Sequence, residues 1–471
     1  MAPIHFLLND RPETLDMAPG LSTLSWLRET RELTGTKEGC AEGECGACAV
    51  LLGELDGDHV NYRAVPACLL PLGELAGRHL VTIEGLNPPA GLHPIQQALV
   101  DEGAPQCGFC FPGIVISLAG FFLTSKDLSV ADAVDSLDGN ICRCTGYAAI
   151  LRALTGLCET FAPRLDTHQP RVDQVLAWGL LPDHFSQAAS RLTTMAPSPD
   201  PVEPEADLVA GSTDLLVQCP DDLATRPLSF ISRRSDLRTV VRTAFGLELG
   251  GGVTLEQWRR SDDVEAVLPG ARDMATLFAS TLVRNRATVA GNLVNASPIG
   301  DLTVFLLAHD AELELAGPDA ARRVPLADFY RGYKDLDLEP GEVVRAVHVP
   351  GLPAGATSNF EKISQRRILD IASVNGAAVL TMDDGVFTQA RLSLGGVAPV
   401  PLLLKETPKA LVGQPVSAAT LLAAAAVQDA EIAPIDDVRG TAVYKRELAR
   451  RILFAHILTL APENVRLEEL V

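Results

Sequence analysis

The chain has 471 residues, 47% of them apolar, with 39 Lys+Arg against 60 Asp+Glu and a formal net charge of −21. That length suits about two to four domains, and the apolar fraction with only 21% charged residues excludes a chain disordered as a whole. The acid excess speaks against nucleic acid or an anionic membrane as a partner, since both select a cationic face.

The start, MAPIHFLLND, has no basic stretch before its apolar run and no small-residue cleavage site, so no targeting segment is expected. The longest apolar run, Ile114 to Leu123, is about half of what a bilayer requires. A cytoplasmic protein without membrane contact is the expectation. Residues 1–84 read as a β-rich domain, with strand-like HFLLND, AVLLGEL and HLVTIEG and a helix from Leu21 to Glu32 capped by Ser22. Residues 85–161 turn helical, with apolar residues three and four apart in HPIQQALVDEG, PGIVISLAGFFLTS, VADAVDSLDG and AAILRALTGLCETFA. Pro94 and Pro112 occupy first-turn positions there.

A linker is predicted over 162–206, because MAPSPDPVEPEAD (195–207) concentrates prolines and acids. Residues 207–352 then alternate glycine-rich turns with strands. Residues 353–471 mix strands (AAVLTM, ARLSLGGV) with helices (ATLLAAAAVQDA, KRELARRILFAHILTL). The whole reads as a multi-domain α+β protein.

Eight of the ten cysteines fall between Cys40 and Cys144. In a chain this long without a signal peptide, metal or cluster ligation is a better reading than a disulfide framework. Cys40, Cys45, Cys48 and Cys68 give C-x4-C-x2-C-x19-C, whose opening is the plant-type 2Fe-2S spacing. A tight loop supplies three thiolates and a distant element the fourth, while Gly39, Gly43 and Gly46 let the backbone curl its N–H groups toward sulfur. Zinc knuckles favour paired C-x2-C units, so zinc fits poorly. Cys107, Cys110, Cys142 and Cys144 give C-x2-C followed by C-x-C, where zinc, a 2Fe-2S cluster or a redox pair all remain open. Both pairs precede helical segments whose N-termini favour an anionic cluster. Cys158 and Cys219 read as packing or surface thiols. No histidine metal motif, G-x-S-x-G or P-loop is present.

GTKEGCAEGECGACAV (35–50), PACLL (66–70), QCGFCFPG (106–113) and DGNICRCTGY (138–147) together resemble the iron–sulfur half of the molybdenum hydroxylases, the xanthine oxidase family. The resemblance implies a β-grasp, ferredoxin-like 2Fe-2S domain and a four-helix-bundle 2Fe-2S domain, with Gln106 nearest the pterin of a molybdenum cofactor. Phe111 departs from the threonine usual in that family.

The block Leu208, Val209, Ala210, Gly211, Ser212, Thr213, Asp214, Leu215 reads as strand, turn and helix start, a nest for phosphate oxygens that any βα turn can also explain. A second block, 286–301, is rich in small and amide residues. Both are similar to the family's two-part FAD domain. The likeness implies that Leu208 to Leu215 line the pyrophosphate and adenine side. It makes Thr288, Val289, Ala290, Gly291 and Asn292 a second phosphate loop, sets Phe278 near the isoalloxazine, and has Asp301 hold a polar cofactor group. Ala290 replaces a usual glycine. FEKISQRRILDIASV (360–374) is similar to a flavin-proximal segment bearing Lys362, Arg366 or Arg367, and Asp370, with Lys405 a weaker match. A surface role serves these charged residues equally well.

The order of the blocks is similar to the smaller subunit of bacterial members acting on xanthine. The resemblance thus implies electron transfer from purine hydroxylation at the molybdenum cofactor of a large partner chain, through both clusters and FAD, to NAD. It further implies a heterodimer, paired into a dimer of heterodimers. Aldehyde, CO or nicotinate as substrate, a self-contained NADH-dependent reductase, and a zinc scaffold are the alternatives.

Overall fold

The computed structural model describes residues 3–88, 91–195, 205–318 and 320–470. The chain falls into two units, Met1–Arg233 with Ala279–Ala287, and Arg234–Phe278 with Thr288–Val471.

The first unit opens with β1 (Ile4–Leu8), β2 (Arg11–Leu15), β3 (Ala49–Asp56), β4 (His59–Pro66) and β5 (His79–Val81), ordered β2-β1-β5-β3-β4. Only β1 and β5 run parallel. Side chains alternate along a strand, so one sheet carries two cores. Leu51, Val60, Tyr62 and Ala64 belong to a core shared with the helices below. Val50, Leu52 and Val65 belong to another, shared with Leu24, Trp26 and Leu27. Those last three lie on the predicted Leu21–Glu32 helix, which forms over Thr23–Thr30, Trp26–Thr30 as a π-turn, with the Ser22 hydroxyl accepting from Leu24 N–H.

Four helices follow as predicted: α1 (Pro94–Asp101), α2 (Phe111–Thr124), α3 (Val130–Ser136) and α4 (Ala148–Phe161). Every residue of α2 from Gly113 to Leu123 is buried, which is why its sequence is apolar all round rather than striped. The predicted linker over 162–206 is corrected for its first part. It holds α5 (Arg171–Ala177) and α6 (Ala188–Thr193), and Val175, Leu180, Leu181, Phe185, Ala188 and Leu192 are buried in the bundle core. Residues 196–204, most of the proline-acid stretch that suggested a linker, lie outside the described residues. The unit also holds the parallel pair β6 (Asp207–Val209) and β7 (Leu228–Phe230).

The second unit contains β8 (Val240–Arg242), β9 (Gly246–Gly250), β10 (Glu312–Ala316), β11 (Ala321–Pro325) and β12 (Val343–Pro350), ordered β11-β10-β12-β9-β8 and all antiparallel. Two of its helices are α7 (Val289–Asn295) and α8 (Asp301–Ala308), the latter buried along its whole length. A second sheet of β13 (Ala356–Ile363), β14 (Val374–Asp383), β15 (Val386–Gly395) and β16 (Leu402–Leu403) is sequential and antiparallel. Its core includes residues of α9 (Ala418–Glu431) and α10 (Ala442–Leu460), the two-layer pattern predicted from sequence. Among the described residues, no helix is long and apolar enough to cross a membrane.

Candidate functional site: two cysteine quartets and the flavin blocks

Cys48 and Cys68 meet because the sheet brings them together. Ala49 at the start of β3 pairs with Pro66 at the end of β4, which leaves the flanking sulfurs 3.4 Å apart. The loop before β3 carries Cys40 and Cys45, whose thiols hydrogen-bond each other. That bond pulls Cys40 down to about 5 and pushes Cys45 up, and the same sharing lowers Cys48 while it raises Cys68. The N–H groups of Glu42 and Glu44 donate to Cys40 Sγ at 3.4 and 3.2 Å. A β-carbon at Gly39 would stand 2.7 Å from Cys45 Sγ, so any other residue there would displace that sulfur.

The second quartet is also paired. Cys107 and Cys144 are exposed, with sulfurs 3.5 Å apart, while Cys110 and Cys142 are buried and hydrogen-bonded. Burial pushes the Cys110 thiol up to about 12. Burial also acts on Cys142, but hydrogen bonds led by the Thr145 hydroxyl lower it overall. Cys110 is the N-cap of α2, and Cys142 and Cys144 lie in the segment that leads into α4.

Two thiolates on one tetrahedral metal sit about 3.7 Å apart at metal–sulfur bonds near 2.3 Å. Each quartet offers one pair at 3.4 or 3.5 Å and a second pair hydrogen-bonded to each other. Among the described residues, no group of three His, Cys, Asp or Glu side chains converges on a single ion. Two pairs suit two irons bridged by sulfide, each taking one pair, and do not suit one four-coordinate zinc.

The quartets abut. Ile141 N–H donates to the Cys45 carbonyl at 3.0 Å, and Asn140 Nδ2 donates to the Gly46 carbonyl at 3.2 Å. A cysteine of one quartet is therefore one residue and one hydrogen bond from a cysteine of the other.

In the first unit, the block 208–215 forms the predicted strand, turn and start of a one-turn helix, Leu215–Gln218. Val209, Gly211 and Ser212 are buried, whereas Leu208, Ala210, Thr213, Asp214 and Leu215 are half-buried. Ser212 takes a left-handed φ of 62° and donates its hydroxyl to the Leu69 carbonyl at 2.8 Å, one residue past Cys68. Arg286 donates to the Ala210 carbonyl at 3.3 Å and to Glu74 Oε2 at 2.8 Å. Glu74 is fully buried. Burial alone would raise its carboxyl, but Arg286 and Arg78 bring it down to about 2. Sequence reasoning missed this cluster, because its members stand 212 positions apart. A glutamate and an arginine inside the apolar run LGELAGR were the only local signal.

In the second unit, Thr288 to Asn292 open α7 rather than a loop, with Thr288 Oγ1 accepting from Gly291 N–H. Val289 is buried; Ala290 and Gly291 are half-buried. The Ala290 methyl that replaces the family glycine points at Gly251, where a β-carbon would come within 2.9 Å of it. The Lys362 side chain is buried, which sets aside the surface role left open beside a place near the flavin. Its Nζ donates to Asp301 Oδ2 at 2.7 Å and to the carbonyl of Leu277, the neighbour of half-buried Phe278, at 2.9 Å. Asn375 Nδ2 donates to the other Asp301 oxygen. Burial still pushes the Asp301 carboxyl up against the pull of Lys362. Asp370 accepts from Arg366 N–H in an exposed loop. Lys405 is exposed, and its N–H donates to Glu431. Gln106 is exposed beside Cys107.

Residues 6–72 match a 2Fe-2S iron-sulfur cluster binding domain, and residues 82–155 a second 2Fe-2S binding domain. Residues 180–352 match the FAD binding domain in molybdopterin dehydrogenase, and residues 360–460 the CO dehydrogenase flavoprotein C-terminal domain. The structure of reconstituted CO dehydrogenase from Oligotropha carboxidovorans aligns at 32% identity and TM-score 0.52, over 54% of this chain and 88% of that one. This chain belongs to the molybdenum hydroxylase family. Xanthine dehydrogenase of Emericella nidulans is 28% identical over 87% of this chain and 35% of its own length. Aldehyde oxidase 1 of Rattus norvegicus is 28% identical over 84% and 35%. The chain thus spans about a third of the curated relatives it matches.

As a family member, the chain carries two 2Fe-2S domains and an FAD-binding domain. Its residues fit these groups. The sulfur pairs suit two irons per cluster, as above. Asn292 Oδ1 is buried without a hydrogen-bond partner among the described residues, which suits a ligand donor beside the α7 N-terminus. Gly211 is pressed closely on the Arg286 carbonyl, 2.3 Å from where a β-carbon would stand, so the turn has no room for a side chain there.

Proposed function

We propose that this chain is the electron-transfer part of a xanthine dehydrogenase, receiving electrons from hydroxylation of hypoxanthine or xanthine at a molybdenum cofactor on a partner chain and delivering them to NAD. One observation carries the reading: a bonded order of the three centres within the first unit. The Ile141 N–H joins the bundle quartet to Cys45, and the Leu69 carbonyl next to Cys68 takes the Ser212 hydroxyl of the flavin turn. The ferredoxin-type quartet is therefore the middle of the series.

In this reading Cys40, Cys45, Cys48 and Cys68 hold one cluster, and Cys107, Cys110, Cys142 and Cys144 the other. Val209 to Leu215, with Leu208, cradle FAD phosphate; Thr288 to Asn292 offer the second N–H set. Asp301, kept in place by Lys362 and Asn375, holds a polar group of the flavin beside Phe278. When bound, the clusters supply one-electron transfer and the flavin exchanges one electron at a time on one side and a hydride on the other. The exposed pair Cys107 and Cys144, with exposed Gln106, forms the edge open to the large chain, and a dimer of such heterodimers is the expected assembly.

Metal and flavin analysis of the purified chain tests the reading. About four irons and one FAD are expected, and NADH should bleach the flavin where xanthine does not. Zinc in place of iron, or a flavin inert to NADH, would overturn it. With the co-purified large chain, turnover of xanthine against an aldehyde, CO and nicotinate decides the substrate, and preference for any of the last three overturns the purine assignment.

A further inference from the structure

The segment Cys142-Arg-Cys-Thr-Gly-Tyr147 is folded around one sulfur. Tyr147 is held at φ 65°, a left-handed conformation that side chains other than glycine rarely adopt. Two hydrogen bonds use that conformation. The Tyr147 N–H donates to Thr145 Oγ1 at 3.0 Å, and the Tyr147 phenol oxygen accepts from Cys142 N–H at 2.9 Å. Thr145 Oγ1 lies 3.2 Å from Cys142 Sγ.

The direction of that last contact follows from the donor inventory. A hydroxyl has one hydrogen and two lone pairs. Tyr147 N–H occupies one lone pair, which leaves the hydrogen free to turn to sulfur. A cysteine bound to iron has no hydrogen to give. The Thr145 hydroxyl is therefore the donor and Cys142 Sγ the acceptor, a charge-assisted bond to a thiolate. Reduction of a cluster adds negative charge that its sulfurs share, so a donor at sulfur favours the reduced state.

We propose that Thr145 is a positioning residue that raises the reduction potential of the bundle cluster through Cys142, and that Tyr147 orients it. The inference rests on reading Cys142 as a ligand of that cluster. It adds an energetic role for two side chains that are not ligands.

The test is a potentiometric titration of the purified chain, followed by the two reduced-cluster paramagnetic signals. C142S first settles the ligand reading: it should abolish one signal and half of the iron, and intact iron with both signals would defeat that reading by itself. T145V should lower the equilibrium constant for one-electron reduction of the Cys142-dependent cluster by about tenfold, which is 59 mV for one electron. The other cluster should not move, and T145S should restore the original value. Y147F, which frees the Cys142 N–H, should also shift only the Cys142-dependent signal. An unmoved potential in T145V overturns the proposal, as does an equal shift of both clusters or a T145S that behaves like T145V. If T145V does not load the cluster, T145A, which cannot clash, replaces it. Failure of both to load while T145S loads assigns Thr145 to assembly and also overturns it.

Discussion

Gly46 shows how much of the electron path rests on single positions. It takes φ 66°, and a β-carbon there would meet the Gly139 carbonyl at 2.4 Å and Asn140 Nδ2 at 2.6 Å. Those two atoms belong to the loop that carries Cys142. Gly46→Ala therefore forces the quartets apart, stretching the Ile141–Cys45 hydrogen bond, and adds about 1–2 kcal/mol of backbone strain. The expected outcome is full iron content, a lower melting temperature and slower electron exchange between the clusters by rapid freeze-quench. An exchange rate equal to wild type would show that the loop contact is not part of the path. The cysteines themselves were legible in the sequence because cluster chemistry imposes short, local spacings. Glu74 and Arg286 were not, since an ion pair between distant positions leaves no periodic trace. The same limit hid the partners of Lys362: residue type says that it is charged, and only the fold pairs it with Asp301 and the Leu277 carbonyl.

At the scale of elements, strongly patterned segments were readable and weakly patterned ones were not. Helices α4, α9 and α10 announce themselves by apolar periodicity, and α2, β3 and β14 by nearly continuous apolar runs. Strand β2, Arg11–Leu15, is an edge with only Leu15 buried, so its sequence carries no alternation to detect. Residues 171–193 form two short helices whose buried positions are few and scattered, which is how a packed segment passed for a linker. Phe185 decides between the two descriptions. It is buried, with its ring 5.0 Å from that of Tyr62 and 5.4 Å from that of His79. Phe185→Ala should cost about 3–5 kcal/mol of stability, the range for a buried aromatic, measured as a shift of the urea midpoint. A change within about 0.5 kcal/mol, typical of a surface site, would restore the linker description.

For the whole molecule, the charge of −21 sets up a contest as the pH falls. Protonation relieves self-repulsion, which favours the folded state. Against this stand His79, His309 and His456, which burial holds down to about 3, 4 and 3. Folded, they stay neutral through the mildly acid range; unfolded, they take a proton below about 6.5. The unfolded state then binds more protons, so stability is intact above pH 6.5 and is lost as the pH drops toward 4. Each histidine contributes about 1.4 kcal/mol per pH unit in that window; His79 lies in the first unit, where burial also lowers His93 and His184, and His309 and His456 lie in the second. Surface repulsion is screened over about 8 Å at physiological salt, whereas the buried rings are not, so the histidines win. The urea midpoint at 0.15 M salt should fall steeply between pH 6.5 and 5.0, in the first unit as in the second. His456→Gln, which keeps a polar partner for Asn359, should flatten the slope of the second unit by about half, as one of its two buried histidines no longer titrates. A midpoint that stays level across this range, or rises, would mean that relief of the acidic surface outweighs the three buried rings.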